Sequence, residues 1–292
     1  MKTYKESLHY GDDFLSARGF ENSSFDALYL LERATGHTKT MLLSMPDSLI
    51  DDSQFQTFKI SLERRAKGEP LQYIAGTTSF RFIDVIVQEG VLIPRPETEV
   101  LVQCILDDSA TKDDEEFLAV DLCTGSGCIA CSLAHEDKRF RLVATDISPC
   151  AVLLAKKNVA SLDLDSRVEV VQCDLGKGIA RQLYGHIDYI ISNPPYIPSD
   201  VMSALPLEVA NFEPELALHG GLDGLDIYRR IMDWGVLALK PGGLIAVELH
   251  EDCTDKASHI ARDLGYVNVE VIRDLTGKDR IIKANLPRRQ GV

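Results

Sequence analysis

Ile187-Asp188-Tyr189-Ile190-Ile191-Ser192-Asn193-Pro194-Pro195-Tyr196-Ile197-Pro198 is the stretch on which the reading of this chain turns. Its apolar start suits a short strand buried in a parallel sheet. Pro194 and Pro195 donate no backbone hydrogen bond and fix φ, so the strand stops at Asn193. In an open α/β sheet, the loop beyond a strand's carboxyl end is where ligands bind. There Asn193 offers a side-chain amide oxygen, Pro194 offers its carbonyl, and Tyr196 offers a flat face for stacking. Two acceptors beside a ring suit a planar –NH2 group; a plain proline turn is the alternative while the stretch is taken by itself.

Upstream, Phe117-Leu118-Ala119-Val120-Asp121-Leu122 predicts the first strand of an α/β domain, running into Cys123-Thr124-Gly125-Ser126-Gly127-Cys128-Ile129-Ala130 and a helix to about residue 135. Glycines between a strand and a helix let the backbone approach a ligand closely. Residues 141–145 predict a strand ending at Asp146, whose carboxylate can hold two ribose hydroxyls. Pro149 opens the next helix, with Val152, Leu153 and Ala155 in its core face. Residues 168–173 predict a third strand ending at Asp174-Leu175, an acid to accept from an adenine amino group and a side chain to cover the ring. Asn193 ends the fourth. One strand ending in Asp means little, because Asp caps helices and turns. Four alternating βα units that each place a polar residue on the same sheet edge describe a nucleoside-binding crevice.

A dinucleotide dehydrogenase is the rival reading. Gly125-Ser126-Gly127-Cys128-Ile129-Ala130 fits G-x-G-x-x-G/A, and Asp146 follows Gly125 by 21 positions. Against it, no basic residue stands in the glycine loop to meet a pyrophosphate, and Asn193-Pro194-Pro195-Tyr196 has no role in hydride transfer.

Residues 1–75 read as helices only. Ser23 or Ser24 is a candidate cap for a helix carrying Phe25, Leu28, Leu31 and Ala34 and ending at Gly36. Asp52 or Ser53 is a candidate cap for another carrying Phe55, Phe58, Leu62 and Ala66, ending at Gly68. So small a bundle either docks a partner or serves as a structural cap. Residues 76–96 read as a β-hairpin linker, with Phe80, Phe82, Val85 and Val87 in a hairpin turned near Ile83-Asp84 and a strand at Val91-Leu92-Ile93. In Pro94-Arg95-Pro96-Glu97-Thr98-Glu99, Pro96 is placed to open a helix, and Arg95 and Glu97 either reach a ligand or stay solvated.

Past the decisive stretch, residues 199–226 form a connection long enough to be functional or disordered. Asp226 is a candidate cap for a helix bearing Tyr228, Ile231, Met232 and Leu239. Pro241-Gly242-Gly243 turns into a strand over 244–249, and 267–272 with 280–284 predict an antiparallel hairpin at the sheet edge. The tail over 288–292 is expected to fray.

Composition narrows the classes. A net charge of −14 argues against a sequence-independent grip on nucleic acid. No apolar run approaches the ~20 residues of a membrane span, and the start lacks the apolar core of a secretion signal. Seven cysteines, odd in number and without framework spacing, point to a reducing cytoplasm. Cys128-Ile129-Ala130-Cys131 has no second pair or nearby His, so it reads as small helix residues, and no metal site is expected.

Asp121-Leu122-Cys123-Thr124-Gly125-Ser126-Gly127, Asp146, Asp174 and Asn193-Pro194-Pro195-Tyr196 resemble the class I S-adenosylmethionine-dependent methyltransferases that act on planar amino nitrogens. The helical start, Ile93-Pro94-Arg95-Pro96-Glu97-Thr98-Glu99 and Phe212-Glu213-Pro214-Glu215-Leu216-Ala217-Leu218 narrow this to a resemblance, over nearly the whole chain, to the bacterial release factor N5-glutamine methyltransferases, the PrmC/HemK family. The sequence departs from the family at Cys123, where glycine is usual, and at Leu175, where tryptophan is common.

The resemblance implies a Rossmann-like seven-stranded mixed sheet with helices on both faces over residues 97–292, and a substrate-docking helical domain over 1–75. It implies S-adenosylmethionine held by Asp121, Cys123, Thr124, Gly125, Ser126, Gly127, Asp146, Ile147, Asp174, Leu175 and Asn193. It implies that the Gly-Gly-Gln glutamine of class 1 release factors meets Asn193, Pro194, Pro195, Tyr196, Arg95 and Glu97, with Asn193, Pro194 and Tyr196 catalytic. A cytoplasmic monomer, without nucleic acid or membrane, is expected. The alternatives are an amino-methyltransferase of DNA adenine or rRNA guanine, and a non-enzymatic nucleoside-binding protein.

Overall fold

The computed structural model describes residues 2–288; the tail expected to fray lies outside them from residue 289 on. The chain divides into two compact units after Thr77.

The first unit is all helical: α1 (Tyr4–Ser16), α2 (Ser23–Thr35), α3 (Lys39–Ser44), α4 (Asp52–Ala66) and α5 (Leu71–Ala75). Thr3 with Glu6 and Asp51 with Gln54 form reciprocal capping boxes at α1 and α4. The α4 cap is therefore Asp51, one residue before the expected pair. Ser23 does not cap α2; it lies inside the helix and donates to Asp12 Oδ1 at 2.5 Å. Leu15, Leu30, Leu31, Leu42, Phe58 and Leu62 fill the core, whereas Phe25, expected inside, is 60% exposed. Helix α1 lies within the run expected to be helical, but Gly11 and seven polar or charged residues blur its apolar face and hide its bounds; a β-carbon at Gly11 would come within 2.6 Å of the Phe58 ring.

The hairpin β1 (Thr77–Phe80) and β2 (Ile83–Ile86) turns at Arg81-Phe82, two residues earlier than expected. The cause is Arg81, whose guanidinium is pulled inward onto Glu136 at 2.6 and 2.7 Å and the Glu99 carbonyl at 3.0 Å, leaving Phe82 75% exposed. Val91 and Ile93 are buried, but Val91 lies in a bend and Ile93 in irregular chain, so the strand expected over Val91-Leu92-Ile93 is not formed. Next come α6 (Thr98–Ser109), β3 (Phe117–Leu122), α7 (Cys128–Glu136), β4 (Phe140–Asp146), α8 (Pro149–Ser161), β5 (Val168–Gln172), β6 (Ile187–Ser192), the short α9 (Leu207–Phe212) and α10 (Glu215–Leu218), α11 (Asp226–Ala238), β7 (Leu239–Glu248), α12 (Thr254–Asp263), β8 (Val267–Arg273) and β9 (Asp279–Asn285).

The seven strands run in the order β5-β4-β3-β6-β7-β9-β8, parallel through β7 and antiparallel across β9 and β8. Alternate strand residues face opposite sides. Phe117, Ala119, Tyr189 and Leu244 meet α6, α7 and α8 on one face; Val120, Leu122, Ile190 and Ile245 meet α11 and α12 on the other. Two expected core or helix positions differ. Leu153 is 62% exposed and Leu154 takes its place inward, and Leu239 begins β7 instead of extending α11. Among the described residues no helix is long and apolar enough to cross a membrane.

Asn158 of α8 fixes what lies above the sheet. Fully buried, it accepts from Ile86 N at 2.7 Å and donates to Ile86 O at 3.0 Å and Ser126 O at 2.8 Å, tying the hairpin to the glycine loop. Removing it strands three backbone groups. Asn158→Ala is expected to lower the unfolding free energy by roughly 2–3 kcal/mol in a urea titration; a loss under about 0.5 kcal/mol would contradict that role.

Candidate active site

Register aligns the strand ends. Leu122 is level with Thr145 and with Ser192, and Asp146 with Gln172. Beyond this edge lies a cavity of about 510 Å³, within the usual range for a small-molecule site. Its wall includes Cys123, Thr124, Gly125 and Ser126 of the glycine loop, Asp146-Ile147, Asp174-Leu175, Asn193 and Pro195.

The glycine loop turns through the left-handed region, with φ of +59° at Cys123, +56° at Gly125 and +82° at Gly127. A side chain in that region costs about 1–2 kcal/mol, so Cys123 stands where glycine is the unstrained choice. Burial pushes its thiol far up, so it stays protonated. Thr124 donates its hydroxyl to Asp121 Oδ2 at 2.5 Å. Asp121 is fully buried beneath the loop, off the cavity wall, and burial raises its carboxyl to about 7. It therefore shapes the loop from below. Gly127 likewise lies behind the wall, opening α7.

Asp146 accepts from Gly125 N and from Ser148 N, each at 2.9 Å, one on each oxygen. A carboxylate oxygen has a second lone pair, so both oxygens keep one for a diol. Burial raises its pKa against those two amides. Ile147, 52% exposed, offers an apolar edge beside it. Asp174 also lines the cavity, but its oxygens are engaged by Arg230 at 2.6 Å and Lys177 at 2.7 Å, which together lower its pKa. Leu175, at φ +53°, packs into the core beneath α11.

At the opposite end, Asn193 donates Nδ2 to Thr98 Oγ1 at 3.0 Å, leaving Oδ1 without a protein donor among the described residues. Pro195 lines the cavity and Pro194 is buried behind it. Tyr196, expected to present a face to the ligand, instead lies off the wall with its ring on the core and its hydroxyl 3.4 Å from Glu248 Oε1. The long 199–226 connection is ordered against this stretch. Ile197 N donates to Leu218 O at 2.8 Å and Gly220 N to Ile197 O at 2.9 Å. A β-carbon at Gly220 would come within 2.6 Å of Tyr196 Cα, and one at Gly224 within 2.4 Å of Tyr196 O, so only glycine allows this approach. Arg95 lines the cavity and pairs with buried Glu213 at 2.5 Å, pinning the connection; Glu97 stays off the wall at the start of α6.

Sequence reading passed over Thr98, Glu248 and Arg230. Glu248 carried a signal: it is the polar residue at the end of the next parallel strand, one past Val247, which pairs with Ser192. Cys128 and Cys131 are buried and free, and no His/Cys/Asp/Glu group suited to a metal ion occurs among the described residues.

Comparison with known proteins places the chain. Residues 6–76 match the PrmC N-terminal domain and 96–205 the methyltransferase small domain. A release factor glutamine methyltransferase of Moorella thermoacetica is 38% identical over 97% of this chain and 98% of its own length. One of Caulobacter vibrioides is 37% identical over 92% of each. Among solved structures, a methyltransferase from Pyrococcus furiosus shares the fold, with a TM-score of 0.51, 18% identity, and coverage of 70% of this chain and 89% of that one. On the strength of identity spanning almost the full length of both chains, this protein belongs to the release factor glutamine methyltransferase family.

Proposed function

We propose that this chain transfers the methyl group of S-adenosylmethionine to the side-chain amide nitrogen of the glutamine in the Gly-Gly-Gln motif of class 1 release factors. The observation that carries the reading is Asn193, anchored through Nδ2 on Thr98 so that Oδ1 is the acceptor left at the cavity wall. The cavity fits the donor: Asp146 keeps a lone pair on each oxygen for a ribose diol, and Ile147 and Leu175 supply apolar faces. Bound there, S-adenosylmethionine supplies a methyl carbon made electrophilic by its sulfonium.

An amide nitrogen is a poor nucleophile because its lone pair is delocalised into the carbonyl. Asn193 Oδ1, with the Pro194 carbonyl as second acceptor, holds the two N–H groups and fixes the nitrogen for attack. Positioning of this kind supplies up to ~7–11 kcal/mol in well-oriented systems. The same acceptors strengthen as positive charge grows on nitrogen, which favours the transition state over the ground state. The amide nitrogen would take the methyl group that bound S-adenosylmethionine supplies, the donor leaving as its neutral thioether, and would then lose a proton to water, so no general base is needed beforehand. Tyr196 contributes by holding the loop in place.

The helical unit is assigned to docking the release factor. Exposed Phe25 and Leu43 border an apolar groove of about 440 Å³ with Leu8 and Leu28. A cytoplasmic setting fits seven free cysteines.

Three results are expected. With tritiated S-adenosylmethionine and purified release factor, DNA and rRNA offered side by side, label enters the release factor alone, on a glutamine identified by mass spectrometry; label in nucleic acid instead would overturn the reading. Asn193→Ala cuts kcat by about 10²-fold or more, with the donor dissociation constant nearly unchanged by calorimetry; equal losses in both would count against it. Asp146→Ala does the reverse, weakening donor binding by about 10–100-fold through the loss of charge-assisted hydrogen bonds while kcat at saturating donor holds.

A further inference from the structure

Asp174 and Arg230 both line the cavity, where they meet through a single nitrogen. Arg230 Nη2 donates to Asp174 Oδ1 and to Oδ2, each at 2.6 Å. The strongest guanidinium–carboxylate pairing sets two nitrogens against two oxygens. Here one nitrogen takes both oxygens, and Arg230 Nε and Nη1 have no hydrogen-bond partner among the described residues. Lys177 Nζ adds a further bond to Oδ2 at 2.7 Å. A carboxylate oxygen has two lone pairs, so Oδ2 is filled and Oδ1 keeps one. The pair therefore offers an acceptor and a donor side by side on the cavity wall.

The loop that carries Asp174 is also held from behind. Arg230 and Trp234 are one turn apart on α11 and meet the same loop. A β-carbon at Gly176 would run into the Trp234 ring, so glycine is what lets loop and helix lie this close. Trp234 Nε1 donates to Tyr184 Oη at 2.9 Å, and Tyr184 Oη donates to Gly176 O at 3.3 Å. Packing thus fixes the loop on α11 without relying on Arg230 as its only anchor.

We propose that Arg230 is a specificity-determining residue for the methyl donor: with Asp174 it reads adenine through two adjacent hydrogen bonds. The 6-amino group donates to Asp174 Oδ1, and a ring nitrogen flanking it, N1 or N7, accepts from Arg230. The inference rests on the reading above that this cavity takes S-adenosylmethionine. Asp146 is level with Gln172 on the neighbouring strand, and Asp174 follows two residues on, so a nucleoside with its ribose on Asp146 has its base directed toward Asp174. Adenine presents an NH2 beside a ring acceptor, the pattern that an Asn or Gln carboxamide reads with one acceptor and one donor. The Asp174–Arg230 pair supplies the same two groups from two side chains. Lys177 and Arg230 keep Asp174 ionised, so it only accepts, and a 6-oxo purine sets an acceptor against it.

Calorimetry on the full chain tests this with S-adenosylhomocysteine and its 1-deaza, 7-deaza and inosyl analogues. Wild type should bind one of the two deaza analogues, and the inosyl analogue, about 10-fold or more weaker than the parent. Arg230→Met, which keeps an apolar stem, should bind the parent about 10-fold weaker and show no deaza penalty. Arg230→Lys separates reading from mere charge pairing: its one nitrogen is spent on Asp174, so the ion pair returns while the deaza penalty stays lost. The lysine variant also carries the test if Arg230→Met fails to fold. Equal wild-type affinity for the parent and the inosyl analogue, or for the parent and both deaza analogues, would overturn the inference. So would a full deaza penalty in Arg230→Met or Arg230→Lys. A wild-type chain that does not bind S-adenosylhomocysteine would instead overturn the reading of the cavity beneath it.

Discussion

The structure depends on one hydrogen bond made possible by two prolines. Pro194 and Pro195 end β6 where the sheet still holds the backbone rigid, so Asn193 projects from a fixed point. Its carboxamide is then locked by Thr98, the first residue of α6. A side chain with two chemically different ends becomes one with a defined sense. Every other feature of the cavity has value for the proposed chemistry only if that sense is kept.

The surrounding structure is arranged to keep it. Ser192 donates to Leu122 O at 2.7 Å, joining β6 to the strand that carries the glycine loop. Gly220 and Gly224 press on the Tyr196 backbone, and the Arg95–Glu213 pair ties the long connection to the segment before α6. These fixings carry costs: Cys123 and Leu175 sit at positive φ, and Asp121 and Glu248 are carboxyls sealed from water. Strain and buried charge gathered along one sheet edge are what a preorganised site looks like, since rigid placement is obtained against local preference.

Much of this was legible in the sequence, for a physical reason. Strand ends in a parallel sheet are marked by apolar runs that stop at a polar residue, so Asp121, Asp146, Asp174 and Asn193 could be located and put on one edge. Helix α8 was marked by Pro149 at its first turn and α11 by its apolar spacing, although Asp226, expected to cap α11, is its first residue and Leu225 precedes it without a side-chain cap. What escaped depended on contacts between distant residues. The hairpin turn follows from Arg81 reaching Glu136, 55 residues away, which no local pattern encodes. The bounds of helix α1, within a run that reads as helical, are hidden because its close packing uses a glycine. The orientation of Tyr196, inward onto Glu248 instead of outward to a ligand, follows from tertiary packing that residue type alone does not reveal. Asp174 reads in the sequence as an open acceptor, but Arg230 on α11 occupies it, a neighbour 56 positions along the chain.

The central claim is that Asn193 Oδ1 grips the substrate nitrogen and aims it at the bound electrophile. A crystal structure of the chain with S-adenosylhomocysteine and a release factor bearing unmodified glutamine tests it most directly. The account predicts the glutamine Nε2 about 2.7–3.2 Å from Asn193 Oδ1, on the sulfur side of the cavity. A glutamine amide held by other groups, with Oδ1 turned away from the sulfur, would contradict it.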